Sequence, residues 1–191
     1  MRKNFGAKSW LFPMPVLMVA TYDENGVPDI MNAAWGGIHD TNQIGVCIAP
    51  EHRTAKNMVK CQAFTVSAGT AEYVAACDYV GLVSGNKEPS KAARAGFHFS
   101  PSALVHAPIP DELPFTLECR LLSYDNKTGC TVGEIVNVSA DASILDDAGN
   151  MDPEKFSPLC FDPVRQVYCT VGRIAGQAFR DGKTLMKKEQ V

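Results

Sequence analysis

Apolar and polar residues recur in short runs broken by turn formers, which predicts many strands and few helices. Val16–Tyr22 is rich in apolar and β-branched residues and reads as a strand. Asp23-Glu24-Asn25-Gly26 follows, and because Asn and Gly tolerate φ > 0 it reads as a hairpin turn, with Ile30–Trp35 as the returning strand. Ile44–Ala49 is a third apolar run, closed by Pro50, and the polar loop to Thr54 leads into a short helix over Ala55–Cys61. Ala63–Ala68 alternates as a strand does. Thr70–Leu82 places apolar residues at 74, 75, 79 and 82, close to helical spacing, with Thr70 as N-cap.

Farther along, Ser84–Lys91 is a loop, and Ser100–Glu112, with its prolines, reads as an irregular excursion. Phe115–Tyr124 and Cys130–Val138 form a long hairpin about the Asp125–Gly129 turn. Asp146–Asn150 turns again, and Val167–Val171 is a late strand. No repeat, low-complexity tract or linker divides residues 1–191, so one domain is expected. The pattern predicts a mainly β fold, an antiparallel barrel or sandwich with short helical inserts, and closure into a small barrel disposes of sheet edges.

Composition narrows the function. A net charge of −3 and a pI of about 5.8 argue against nucleic acid and against an anionic membrane surface as partners. Arg2 and Lys3 before the apolar run Trp10–Ala20 mimic a signal peptide, but Pro13 and Pro15 break its helix and cleavage near Ala20 would destroy the first hairpin. No apolar run reaches the roughly 20 residues of a membrane span. The seven cysteines (47, 61, 77, 119, 130, 160, 169) show neither C-x-x-C nor zinc spacing, so they read as small hydrophobes in a reducing cytoplasm.

Three segments are candidates for chemistry. Arg53-Thr54 precedes the Ala55 helix, whose start offers unpaired amides, and guanidinium, hydroxyl and amides together suit a phosphate. A solvated Arg beside a capping Thr is the plainer reading. In Asn32-Ala33-Ala34-Trp35-Gly36-Gly37, small residues between an amide and an indole let backbone approach a flat ligand, and a core Trp at a strand end is the alternative. Ser84–Lys91 is basic and Gly-containing but has no Walker A spacing. G-x-G-x-x-G is absent, the four histidines (39, 52, 98, 106) are scattered, and no nucleophilic triad signature occurs.

In order, Pro15-Val16, Asp23-Glu24-Asn25-Gly26, Asn32-Ala33-Ala34-Trp35 and Ala49-Pro50-Glu51-His52-Arg53-Thr54 with Asn57 resemble the flavin reductase-like family, its flavoredoxin-like members above all. The likeness continues through Ser84-Gly85 and Lys91, Leu117-Glu118-Cys119, Gly133-Glu134-Ile135-Val136, Pro158-Leu159-Cys160-Phe161, Tyr168 and Gly172. It implies a mainly β, FMN-binding split β-barrel of Greek-key type, usually a homodimer. By position, Asn32, Ala33, Ala34 and Trp35 would line flavin and ribityl chain, and Ile48, Ala49 and Pro50 would edge the ring. Arg53, Thr54 and Asn57 would hold the phosphate, with Ser84, Lys91 and Phe161 near the flavin. The implied activity is that of an NAD(P)H-dependent flavin reductase, with NADH or NADPH as donor and a redox partner protein or free flavin as acceptor. The alternatives are a flavoredoxin-type electron carrier that keeps its FMN, and a relative that has lost flavin. Two departures touch the nicotinamide side: Ser90-Lys91-Ala92 where relatives often carry Asp-Lys-Phe, and no His in the 125–131 hairpin.

Overall fold

Two hairpins set the first half of the fold, which a computed structural model describes for residues 1–186. A short β1 (Met14–Pro15) leads into β2 (Leu17–Tyr22), which pairs with β3 (Pro28–Ala33) across the Asp23–Gly26 turn. The Asp23 carboxylate accepts from the amides of Asn25 and Val27, each at 2.8 Å, so the turn closes through its own side chain. Ala34 and Trp35 run directly into β4 (Gly36–Asp40), which hairpins with β5 (Gln43–Cys47). The sequence predicts no strand over 36–40, because β4 is an exposed edge and carries no alternating apolar face.

After β5 come α1 (Arg53–Cys61), β6 (Ala63–Ala68), α2 (Val74–Leu82) and the single-turn α3 (Lys91–Arg94). β7 (Phe99–Pro101) and β8 (Pro108–Pro110) form a small flap inside the stretch expected to be irregular; proline is tolerated there because both are edge strands. The long hairpin β9 (Phe115–Tyr124) and β10 (Cys130–Ala140) follows, then α4 (Pro153–Phe156), β11 (Leu159–Asp162), β12 (Val167–Thr170) and α5 (Lys183–Met186).

Seven strands form one antiparallel sheet in the order β3-β2-β6-β9-β10-β5-β4, while β1-β11-β12 form a second, smaller sheet. The two outer strands of the large sheet, β3 and β4, are consecutive in the chain with only Ala34 and Trp35 between them. Three peptide steps span at most about 11 Å, so the sheet has to curl until its edges nearly meet. The barrel is thus closed by a covalent tether rather than a hydrogen-bonded seam. Irregular register at Val132/Gly133 and Ile135/Asn137 of β10 adds the local twist that curling needs.

Two apolar cores result. Val19, Val46, Ile48, Met58, Phe64, Val66 and Cys119 fill the barrel, and Met18, Ala20, Ile30, Cys77, Val80 and Phe97 pack β2 and β3 against α2 and α3. Because β2 is buried on both faces, its apolar run is continuous rather than alternating. The outward face of β6 is polar yet buried under the flap: Thr65 donates to the Pro108 carbonyl at 2.6 Å, and Ser67 shares a 2.7 Å hydrogen bond with Thr116. Thr70 does not cap α2. The helix begins at Val74, its buried residues are Cys77 and Val80, and the Thr70 hydroxyl has no partner among the described residues.

Candidate functional site

Asp29, near the start of β3, is the centre of a buried polar cluster. The Thr54 hydroxyl donates to Asp29 Oδ2 at 2.5 Å, and the Lys91 ammonium lies 4.0 Å from Oδ1, which accepts no hydrogen bond among the described residues. Lys91 is 3% exposed and donates to the Val80 carbonyl at 2.8 Å. Burial pulls its pKa below the usual lysine value; Asp29 opposes that shift and Arg53 adds to it. Arg53 opens α1 and donates to Asp23 Oδ2 at 2.6 Å and to the Gly85 carbonyl at 3.3 Å. Burial raises the Asp23 pKa, but the amides of Val27 and Asn25 and the Arg53 guanidinium outweigh it, so the carboxyl sits below its ordinary value. Two cationic and two carboxylate side chains therefore face one another at the head of α1.

That helix start also offers backbone donors. The amides of Arg53, Thr54 and Ala55 have no backbone acceptor among the described residues, and no acidic residue occupies the first turn. The 84–91 loop is held against it: Asn86 donates to the Glu51 carbonyl at 2.8 Å, and the Ser84 carbonyl accepts the amides of Lys87 and Glu88. Asn57 turns the other way and donates to Thr21 Oγ1 of β2 at 3.3 Å, inside the molecule.

Trp35 stands at the barrel tether with 60% of its surface exposed. Its carbonyl accepts from the Cys47 amide at 2.8 Å, which places the chain after β5 beside it. Ile48 donates its amide to the Gly129 carbonyl at 2.9 Å and accepts the Tyr124 hydroxyl at 2.9 Å, while Ala49 and Pro50 continue half-buried to α1. From Cys47 to Arg53 the chain spans at most about 20 Å. Trp35 and Ala34 also wall an open cleft of about 490 Å³ whose other side is the N-terminal arm at Lys8, Trp10 and Leu11. Asn32 donates to the Cys77 carbonyl at 3.2 Å and to the Tyr168 hydroxyl at 3.3 Å, and that hydroxyl donates to Asp78 at 2.8 Å. Burial and the Asp78 carboxylate push the Tyr168 phenol up to about 12. Phe161, opposite Met14 in the small sheet, lies 5.9 Å from Tyr168 ring to ring.

The predicted residues thus fall into two adjoining groups. Trp35 with Ile48, Ala49 and Pro50 forms one, and Arg53, Thr54, Ser84 and Lys91 around Asp29 forms the other. Asn32, near the end of β3, joins the first group to Phe161 through Tyr168, and Ala33 is buried in the barrel core. Sequence reasoning gave no site role to Asp23, Asp29, Tyr124 or Tyr168, although Asp23 and Tyr168 stand among the residues of the family likeness. A carboxylate directly before the apolar pair Ile30-Met31 was the available signal for Asp29; the others depend on pairing between distant elements. Cys77 and Cys119 are buried as expected of small hydrophobes, whereas Cys47 and Cys130 are exposed.

The match to a family model described as a flavin reductase-like domain covers residues 9–167. Flavoredoxin of Desulfovibrio vulgaris (Miyazaki F) is 36% identical, over 95% of this chain and 100% of that one, with a TM-score of 0.90. Flavoredoxin from Methanosarcina acetivorans is 28% identical, over 97% and 100% of the two chains, with a TM-score of 0.88. The FMN-binding domain of a flavin reductase-like enzyme from Shewanella baltica OS155 shares the fold at 17% identity, over 85% and 88%, with a TM-score of 0.76. No curated protein sequence matches. The mainly β split barrel expected from the sequence is the fold observed, and the chain belongs to the flavin reductase-like family.

Proposed function

We propose that this chain binds FMN across the two groups and works as an FMN-dependent redox protein of the NAD(P)H:flavin reductase type. One observation carries the reading: an exposed indole at the barrel tether is tied, through the Trp35–Cys47 hydrogen bond and the short 48–52 loop, to a helix start with free amides and an arginine. The residues present fit the group. A cleft of about 490 Å³ lies within the roughly 300–1,000 Å³ of cofactor pockets. At the other end, unpaired amides and a guanidinium suit a phosphate.

Bound FMN supplies hydride acceptance and electron transfer, which is the cofactor's chemistry. Ala34 and Trp35 would present a wall to the ring, with Asn32 towards the ribityl chain and Ala33 buried as their support, and Ile48, Ala49 and Pro50 would offer backbone to the ring edge. Because the Thr54 hydroxyl and the Asn57 amide are committed inward, phosphate contact falls to the Arg53 guanidinium and the first amides of α1. Lys91 and Thr54 act through Asp29, which they hold in place. Phe161 acts through Tyr168, which fixes Asn32. Ser84 closes the loop over the phosphate end. A homodimer belongs to the same proposal: Trp35 and Ile38 leave apolar surface at the tether and on edge strand β4.

The 36% identity to flavoredoxin favours a second reading, an electron carrier that retains FMN and serves protein partners. Spectra decide. Purified chain loaded with FMN and stripped of free flavin should keep a flavin absorbance band; a colourless product overturns flavin binding. Anaerobic NADH or NADPH should then bleach that band. Bleaching by a chemical reductant alone leaves the carrier reading standing and removes the reductase one.

A further inference from the structure

The geometry points to Cys47 and Cys130 as a reversible dithiol–disulfide couple, oxidised by a small-molecule disulfide, at the rim of the barrel tether. Cys47 ends β5, Cys130 begins β10, and the two are directly opposite in the strand register. Both are exposed, and their sulfurs lie 3.5 Å apart. They do not exchange backbone hydrogen bonds. The Cys47 amide donates to the Trp35 carbonyl at 2.8 Å, the Cys130 amide to Thr128 Oγ1 at 3.2 Å, and the Cys130 carbonyl accepts from Asp125 at 2.9 Å. Opposed residues of this kind have Cα atoms about 4.5 Å apart and side chains at their closest, inside the roughly 4.4–6.8 Å that a disulfide requires.

The register at this point is fixed on both sides. Gly129 holds φ +72°, and its carbonyl takes the Ile48 amide at 2.9 Å; a Cβ at position 129 would lie 2.5 Å from the Ile48 carbonyl oxygen. The two Cα atoms therefore stay opposed while that bond holds, and only side-chain rotation separates the thiols. Burial and the neighbouring Cys130 thiol raise the Cys47 pKa, which fits two sulfurs close enough that ionising one disfavours ionising the other.

The remaining cysteines lack this combination. Burial pushes Cys77 to about 11 and Cys119 to about 12, so neither supplies thiolate at neutral pH. The Cys61 thiol donates to the Tyr22 carbonyl. Cys160 and Cys169 are also opposite one another, in β11 and β12, but both are half-buried and their sulfurs make no hydrogen bond to each other.

The chemistry balances on the two sulfurs and the oxidant. One thiol loses its proton and attacks a disulfide R–S–S–R, breaking that S–S bond and expelling RS⁻. The second thiol, deprotonated in turn, attacks the protein-bound sulfur of the mixed disulfide and expels the second RS⁻. One S–S bond forms between Cys47 and Cys130, two S–H bonds are lost, and two electrons and two protons leave as two RSH. A dithiol reductant reverses it.

The test uses the full chain, reduced, freed of reductant and treated with oxidised glutathione, with and without added FMN. Intact mass and peptide mapping should show loss of two hydrogen atoms and a Cys47–Cys130 link, undone by dithiothreitol. Cys47→Ser and Cys130→Ser should each stop at one glutathione adduct on the remaining thiol, lasting about tenfold longer or more than any adduct on the wild type, because the resolving sulfur is gone. Lasting separate adducts on Cys47 and Cys130 of the wild type, or a link confined to Cys160 and Cys169, overturn the proposal. The readout is mass, so failure to bind FMN leaves it intact.

Discussion

Arg53 serves two anions in the proposed function, and the structure shows it already holding one. Its guanidinium clamps Asp23, and a phosphate competes for the same donors. Arg53→Ala should weaken FMN binding by about 1.5–3 kcal/mol, the range for hydrogen bonds to charged groups. Asp23→Asn should strengthen it, because the fork is released. Equilibrium dialysis reads both, and unchanged affinity in Arg53→Ala removes the arginine from the phosphate site. The same pair gives a pH dependence with a definite sign. The folded Asp23 carboxyl has a lowered pKa, so its stabilisation is complete above the ordinary carboxylate value, about pH 4, and is lost as pH falls through the lower folded value. Urea unfolding below that pH should show a drop in stability that Asp23→Asn flattens.

At the scale of elements, the barrel wall depends on one close approach. The missing side chain of Gly133 in β10 leaves room for the Phe64 ring of β6, and a Cβ there would lie 2.7 Å from Phe64 Cε1 and closer still to Cζ. Phe64 is fully buried and has no free direction to yield. Gly133→Ala should therefore destabilise the fold by about 1–3 kcal/mol, as overpacking does. Gly172→Ala, with open space around it, should stay within about 0.5 kcal/mol of the wild type in the same denaturant curves. Strands that bury a face were legible in the sequence: β2, β6, β9 and β10 all stand near their expected limits. β4 was not, since both its faces are largely exposed, and neither were β7 and β8, whose prolines disguise edge strands. The helix α2 was placed but its inward face was only half read: Val74 and Tyr79 pack against the core beside buried Cys77 and Val80, whereas Ala75 and Leu82 are exposed. Leu82 carries as strong an apolar signal as Val80, so the pattern could not choose a phase.

For the whole molecule, closure of the barrel rests on Ala34 and Trp35, two residues that also lie in the proposed site. A short glycine insertion between them should cost little stability, because each doubling of a loop costs only about 0.6 kcal/mol. It should nonetheless weaken FMN binding, because Trp35, still paired with Cys47 beside β4, would no longer be held at a fixed distance from Asn32–Ala34. Thermal melts and dialysis on one insertion variant separate the two effects, and retained affinity would detach the tether from the site. Sequence order revealed the segments of the site through family likeness. It could not reveal that Arg53 and Thr54 answer to Asp23 and Asp29, because pairs between distant elements leave no local periodicity. The cleft beside the tether has an optical consequence. Trp10 and Trp35 are the chain's two tryptophans, and both border that one hollow. The protein's entire indole emission therefore originates there, and any guest settling between them should change its colour or brightness without a label.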